Sequence, residues 1–395
     1  MTISTIGFQT DALEQMEALD TALAKTQSEL STGLQIQTAA DNPAGMAQVN
    51  QLNVELSASQ QYVTNGNAAS TNLKLEEQAL TDGTNILQSA QDLAVQANNS
   101  ALTASERQDI ATQLTQLLQQ LVGVSNSTDS NGNYLFGGYA NTTQPFAQSG
   151  NSVIYSGASG VNQIQIGSDQ SVSAGDTGSS VFMNVPAGNG TFTTAAGSAN
   201  TGTASIDAGT VTNPSAWVPD TYTISFTSPT QYQITNSGGT VVSSGTYTSG
   251  SAIAFDGVQV TLTGAPATGD QFTVAAAGTA SVFSTLSGLV STLTSTTLNS
   301  AQLTTQIGTA LQQLQGAVAH MGDVQASVGS RVNVITSAQS SAQTQQTNLQ
   351  SSVSSLQDVD YAAAVTQLNT EEVSLQAAQE SYASLAKLSL FNYLS

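Results

Sequence analysis

Residues 361–394 read YAAAVTQLNTEEVSLQAAQESYASLAKLSLFNYL, and the placement of the apolar residues there decides the architecture. Tyr361, Val365, Leu368, Leu375, Tyr382, Leu385 and Leu388 recur at threes, fours and sevens. Gln, Glu, Ser and Ala fill most of the gaps, and neither Pro nor Gly interrupts the run. This is an amphipathic helix with a narrow apolar seam. On a straight helix a seven-residue repeat drifts by ~20° per heptad, so the seam favours a shallow left-handed supercoil around a partner. A matching seam lies at the other end of the chain, where Leu13, Met16, Leu19, Leu23, Leu30 and Leu34 share one helical face. The two can pair inside an ordinary bundle or face other chains. Both helices are thin, flanked by Ala, Ser, Thr and Gln, so such a pair is marginal alone and contacts with further chains are expected.

Taken in order, the chain is helical, then β, then helical. A first helix over 9–31 closes at Thr32-Gly33. The next opens at Asn42-Pro43, a cap followed by proline at the first helical position. Met46, Val49, Leu52 and Leu56, then Leu73, Leu80, Leu87 and Val95, carry it toward residue 98, and the helix either continues through Gly66 and Gly83 or resumes after them. Thr103 to Glu106 fits a capping box, and Ile110, Leu114, Leu117, Leu121 and Val124 form the face of a further helix. Asn131-Gly132 is a turn leading into Tyr134-Leu135-Phe136. From about Phe146 to Val274 apolar residues alternate with period two. Tyr222, Ile224 and Phe226 are followed by Tyr232 and Ile234, and Ile253 and Phe255 meet Val258, Val260 and Leu262 across Asp256-Gly257. That pattern predicts antiparallel strands joined by tight turns in a small sandwich or barrel, with 175–215 as loop or weak strand. Helical spacing resumes at Val282, breaks at Gly322 and Gly329, and runs through Leu349, Val353 and Leu356 into the opening seam. The fold class is α+β. Long helical segments cover 1–42, 43–140, 281–352 and 353–395, around an inserted antiparallel β domain over 141–280.

The 395-residue chain has a formal charge of −21 and only five cations, Lys25, Lys74, Arg107, Arg331 and Lys387. With so few cations to displace counterions, binding to nucleic acid or to an anionic membrane surface is not expected. Cysteine is absent, so disulfides and thiolate chemistry are too. The first fifteen residues lack the basic-then-apolar order of a secretory leader, and no apolar run approaches the ~20 residues of a membrane span. Soluble behaviour is expected.

Catalysis has no visible home. His320 is the only histidine, and acid–base, metal or triad chemistry ordinarily needs His or Cys with a placed carboxylate. Adjacent helical carboxylates such as Glu76-Glu77 and Glu371-Glu372 point ~100° apart and make no shared site. Asp129 to Asn133 has its glycine at the fourth position, where a calcium loop needs it at the sixth, and reads as a turn. No catalytic residue, metal ligand or cofactor is expected.

Three segments carry a family resemblance. Leu30-Ser31-Thr32-Gly33-Leu34 with Ala39-Ala40-Asp41-Asn42-Pro43-Ala44-Gly45 resembles the shared N-terminal motif of flagellins. Leu93-Ala94-Val95-Gln96-Ala97-Asn98 is similar to a motif of their helical core, and Asp358-Val359-Asp360-Tyr361-Ala362 onward to their C-terminal region. Gly132-Asn133-Tyr134-Leu135-Phe136-Gly137-Gly138-Tyr139, with Thr143-Gln144-Pro145-Phe146, resembles the hook-associated protein 3 branch of the flagellin superfamily more than filament flagellins. The segment Gly264 to Phe272 is similar to inserted domains of hook-associated proteins. The resemblance implies a non-enzymatic assembly subunit, secreted through the flagellar export channel without a cleaved leader. It would form a ring or helical zone of copies between hook-associated protein 1 and flagellin, after handling by an export chaperone on the C-terminal helix. The terminal helices would pack in an inner tube, and the implied interface is Leu13, Met16, Leu19, Leu23, Leu30, Tyr361, Val365, Leu368, Leu375, Tyr382, Leu385 and Leu388. A filament flagellin and a secreted β-domain adhesin are the competing readings. Where flagellins carry basic residues around the N-terminal motif, this chain has Glu29 and Gln35. Ser89 and Gln91 replace the arginines of the flagellin immune-recognition stretch, so that recognition is not implied.

Overall fold

The computed structural model describes residues 5–393 except 151; the side chains of 5, 6, 8 and 385–393 are not described. Among the described residues there are six α-helices: α1 (Thr5–Thr32), α2 (Pro43–Ala97), α3 (Ala104–Ser125), α4 (Val282–Thr294), α5 (Ser300–Gln357) and α6 (Tyr361–Tyr393). Two units result, one from residues up to 64 and from 339 onward, the other from 65–338. Helices α2 and α5 each contribute to both.

Local signals set the helix ends. Asn42 Oδ1 accepts from the Gly45 amide at 2.9 Å, with Pro43 as the first helical residue. At α3 the capping box forms in full: the Glu106 amide donates to Thr103 Oγ1, and the Thr103 amide to Glu106 Oε2 at 2.7 Å. Asp360 Oδ1 accepts the Ala362 and Ala363 amides and caps α6. The expected break at Gly322 and Gly329 is absent, since α5 runs through both; across Gly66 and Gly83 the second helix continues rather than resumes. A helical glycine costs about 1 kcal/mol. Ile307, Leu314, Met321, Val328 and Ile335, spaced by sevens, are all buried, and each contributes about 1.5–3 kcal/mol. Packing wins. The real break lies at Asp358-Val359-Asp360, between α5 and α6, where the seam was expected to continue.

In the 65–338 unit, Leu73, Leu80 and Leu87 of α2 meet Leu114, Leu118 and Leu121 of α3, α4, and the α5 heptads. Ala94 continues the buried α2 stripe, and Val95, expected there, is 59% exposed. Phe136, Phe146, Phe182 and Phe283 join the same core through ring contacts of 5.0–5.8 Å. Two hairpins lie in the stretch that follows α3: β1 (Phe146–Ser149) with β2 (Ser152–Tyr155), and β3 (Gln163–Gln165) with β4 (Ser171–Ser173). A π-turn at Ser179–Met183 precedes β5 (Val185–Pro186).

A second core begins only at β6 (Phe192–Ala196). It takes in β7 (Ser205–Ile206), β8 (Thr210–Val211), β9 (Thr221–Ser228), β10 (Gln231–Thr235), β11 (Val241–Thr246), β12 (Ala252–Phe255), β13 (Val258–Thr263) and β14 (Gln271–Ala276). One antiparallel sheet has the order β11-β10-β9-β14-β6; a smaller one has β12-β13-β7, with β8 also on β13. Tyr222, Ile224 and Phe226 point into this core alternately with Thr and Ser. Asp256 (φ +40) and Gly257 (φ +79) form the two-residue turn that sets Phe255 opposite Val258. A last short strand, β15 (Thr279–Ala280), returns to β5. The segment 141–280 is therefore not one packing unit. Its first part buries Phe146, Ile166, Val172, Val181, Phe182 and Val185 in the helical core, and 192–276 has a core of its own.

Candidate assembly site

The first unit holds the terminal helices. Helix α1 packs along α6. The pair buries little: Leu13 is 46% exposed, and Met16, Leu19, Leu23 and Leu30 are half-buried. On α6, Tyr361 is 57% exposed and Val365 is exposed, while Leu368, Leu375 and Tyr382 are half-buried. Leu385 and Leu388 lie on the helix, but their side chains fall outside those described. The structure thus brings the two predicted seams together, except for Leu34, which lies beyond the end of α1 in a β-bridge with Asp358, and leaves each seam with apolar surface toward solvent. Val373, 66% exposed, lies on another face of α6.

Sequence reading missed the polar pin between these helices. Thr26, 2% exposed, donates from Oγ1 to Glu371 Oε2 at 2.8 Å, sharing the proton with Ala22 O. Gln367 Nε2 donates to the other carboxylate oxygen at 2.9 Å. A single polar pair in an apolar seam fixes register, because any slip leaves a half-buried carboxylate without its donor.

Below the pair, the α1–α2 link and the α5–α6 break are clasped. The Gln35 amide donates to Gln357 O at 2.7 Å, the Val359 amide to Gly33 O at 2.9 Å, and Gln357 Nε2 to Ile36 O at 3.1 Å. Gly33 has φ +75, and a Cβ there would stand 2.9 Å from Tyr361 Oη. Ile36 is buried against Gly45, where a Cβ would fall 2.6 Å from its Cδ1. Lys25 pairs with Glu29 and with Asp41. The Thr38 amide and hydroxyl hold the Asp41 carboxyl below its usual range, with lesser help from the Gln37 amide and Lys25. The motif 30–45 is therefore a folded link, with steric demands at Gly33 and Gly45 and side-chain hydrogen bonds at Thr38, Asp41 and Asn42.

His320, Asp129, Glu76 and Arg331 each have a partner within the chain. His320 Nε2 lies 2.8 Å from Ser180 O in the π-turn. Asp129 accepts the Asn131 and Asn133 amides within its turn. Glu76 is buried while Glu77 faces out, as the helical projection requires. Glu76 Oε1 accepts the Asp176 amide at 3.0 Å, and Arg331 pairs with Asp176 and donates to Gly175 O. Among the described residues no group of three or more His, Cys, Asp or Glu could hold a metal, and no helix is long and apolar enough to cross a membrane.

Residues 3–141 match the bacterial flagellin N-terminal helical region and 304–394 the C-terminal one. The fold recurs in FlgL from Xanthomonas campestris, which is 34% identical with a TM-score of 0.70 over 76% of this chain and 98% of that one. The chain belongs to the FlgL, or flagellar hook-associated protein 3, family. Hook-associated protein 3 from Legionella pneumophila gives a TM-score of 0.73 at 29% identity, over 78% of this chain and 98% of its own. Among curated sequences, Escherichia coli flagellar hook-associated protein 3 is 31% identical over 157 residues, 40% of this chain and 49% of that protein. The match thus spans about half the length of that relative. Residues 195–276 match the D2-like domain of flagellar hook-associated protein 1, which accounts for the second core of this hook-associated protein 3 relative. Flagellins are a more distant kind; that of Bacillus subtilis is 30% identical over 159 residues.

Proposed function

We propose that the chain is a structural subunit of the bacterial flagellum that joins the zone of hook-associated protein 1 to the flagellin filament. The observation that carries this reading is the half-covered seam: α1 and α6 pair in register, yet Leu13, Tyr361 and Val365 remain exposed. Exposed apolar residues along both helices are what coaxial packing against further copies would cover. In this reading the residues from Leu13 to Leu30 and from Tyr361 to Leu388 named above are the assembly interface. Hook-associated protein 1 and flagellin are the axial neighbours, and an export chaperone covers α6 beforehand. The chain is secreted to the hook–filament junction and needs no cofactor.

Negative-stain imaging of a deletion strain, with antibody labelling of the complemented strain, tests this. Hooks that keep forming while filaments are shed, with label confined to a band at the junction, support it. Label along the whole filament would instead favour the flagellin reading. Intact filaments in the deletion strain contradict both.

A further inference from the structure

We propose that Arg107 receives a carboxylate from a second copy of this chain, an inference that rests on the multi-copy assembly proposed above. With 26 acidic residues against five cations, copies repel, and a cation with no internal carboxylate is where a neighbouring copy can be held. Among the described residues Lys25 is paired with Glu29 and Asp41, and Arg331 with Asp176. Arg107 has no carboxylate within 4.0 Å. Lys74 shares that lack but stands on an exposed helix face, where its ammonium is fully hydrated.

Arg107 lies in the first turn of α3 and lines a cleft of about 200 Å³, with Asn98, Asn99 and Ser100 on one side and Ser300 and Thr304 of α5 on the other. Every polar group named is neutral except the guanidinium. Nη1 donates to Leu102 O at 2.9 Å, and Nε is buried with no partner. The C-terminal end of α2 at Ala97 favours the cation and helps to hold it. The first turn of α5 carries no acidic residue, so its positive end adds to the pull on an anion. The buried Nε is out of an incoming group's reach, but Nη1 and Nη2 keep spare hydrogens, and a carboxylate matches that end of the guanidinium through two parallel hydrogen bonds. A neighbouring copy supplies that group at high effective concentration once its seam is docked, which a free small anion does not.

Arg107→Lys keeps the charge and gives an amine that a carbodiimide joins to any carboxylate in contact. Assemblies are built from an equal mixture of light and heavy-isotope full-length Arg107→Lys chains, cross-linked and digested. We expect mixed-isotope cross-links from position 107 to an Asp or Glu, and none there for Arg107→Gln. Arg107→Gln should also associate roughly tenfold more weakly at low salt, the gap closing toward about 1 M salt, where charges are screened within ~3 Å. Cross-links confined to one isotope, or assembled zones with none and with Arg107→Gln assembling like wild type, overturn the inference; Arg107 then only fastens the link after α2. A wild-type chain that builds no multi-copy zone overturns the proposed function as well.

Discussion

The Val359 amide donates to the carbonyl of Gly33 at 2.9 Å, so two breaks that lie far apart in the sequence meet at one clasp. The geometry requires the left-handed backbone at Gly33 and leaves 2.9 Å between a would-be Cβ and Tyr361 Oη. Gly33→Ala should therefore cost about 1–2 kcal/mol at the clasp. Amide exchange at Gln35 and Val359 should speed up while exchange at Leu73 to Leu87 stays unchanged. Equal protection at the clasp in both proteins would show that its hydrogen bonds do not depend on that backbone.

Thr26 and Glu371 form a side-chain hydrogen bond between α1 and α6. Thr26→Val keeps the shape and removes the donor, with an expected loss of about 1 kcal/mol. The loss should appear as faster exchange in both terminal helices together. In a double-mutant cycle with Glu371→Ala the two changes should be non-additive; additive effects would mean that the register is fixed elsewhere.

Burial holds the Glu76 carboxyl well above the usual carboxylate range, reinforced by the negative charge of Asp176 and opposed by Arg331. A raised folded-state value means that the group favours folding below its unfolded pKa and loses that contribution as pH rises through the folded one. Glu76→Gln keeps an acceptor for the Asp176 amide and cannot ionise. At neutral pH the variant should melt higher than wild type, with the gap closing as pH falls toward 4.5, the ordinary value for the group. A variant that melts lower at neutral pH would show that Arg331 keeps Glu76 ionised.

Features written in neighbouring residues were legible. The Thr103–Glu106 capping box, the Asn42-Pro43 start and the Asp256-Gly257 turn each need only a few residues and one backbone geometry. Features that depend on distant partners were not. Phe146 and Phe182 belong to the helical core because Phe136 and Phe283 wait there, and no local pattern reports that. The Thr26–Glu371 pin joins residues 345 apart. Both seams could be read from spacing alone, because apolar periodicity survives without its partner; the degree to which they cover one another could not.

Gly329 lies inside α5 and has nothing within 4 Å of a built Cβ. Gly329→Ala should accordingly raise the stability of the free chain by about 0.5–1 kcal/mol. Thermal melting of the monomer checks this. If the same change weakens assembly, the open space at Gly329 is filled by a neighbour.

Leu375, half-buried on α6, tests the central claim that the terminal seam is an assembly surface. Leu375→Asp puts a carboxylate into an interface that is apolar only once copies pack, a penalty of several kcal/mol, about 3–5 if the charge stays unpaired. Ser374→Asp, ~100° away in helical projection, is the control. The measurement is attached filament per cell against secreted protein, together with the melting of the 65–338 unit. The expected result is normal secretion and an unchanged core, with filaments shed by Leu375→Asp and retained by Ser374→Asp. Filaments anchored equally well by both variants at equal secretion would contradict the account.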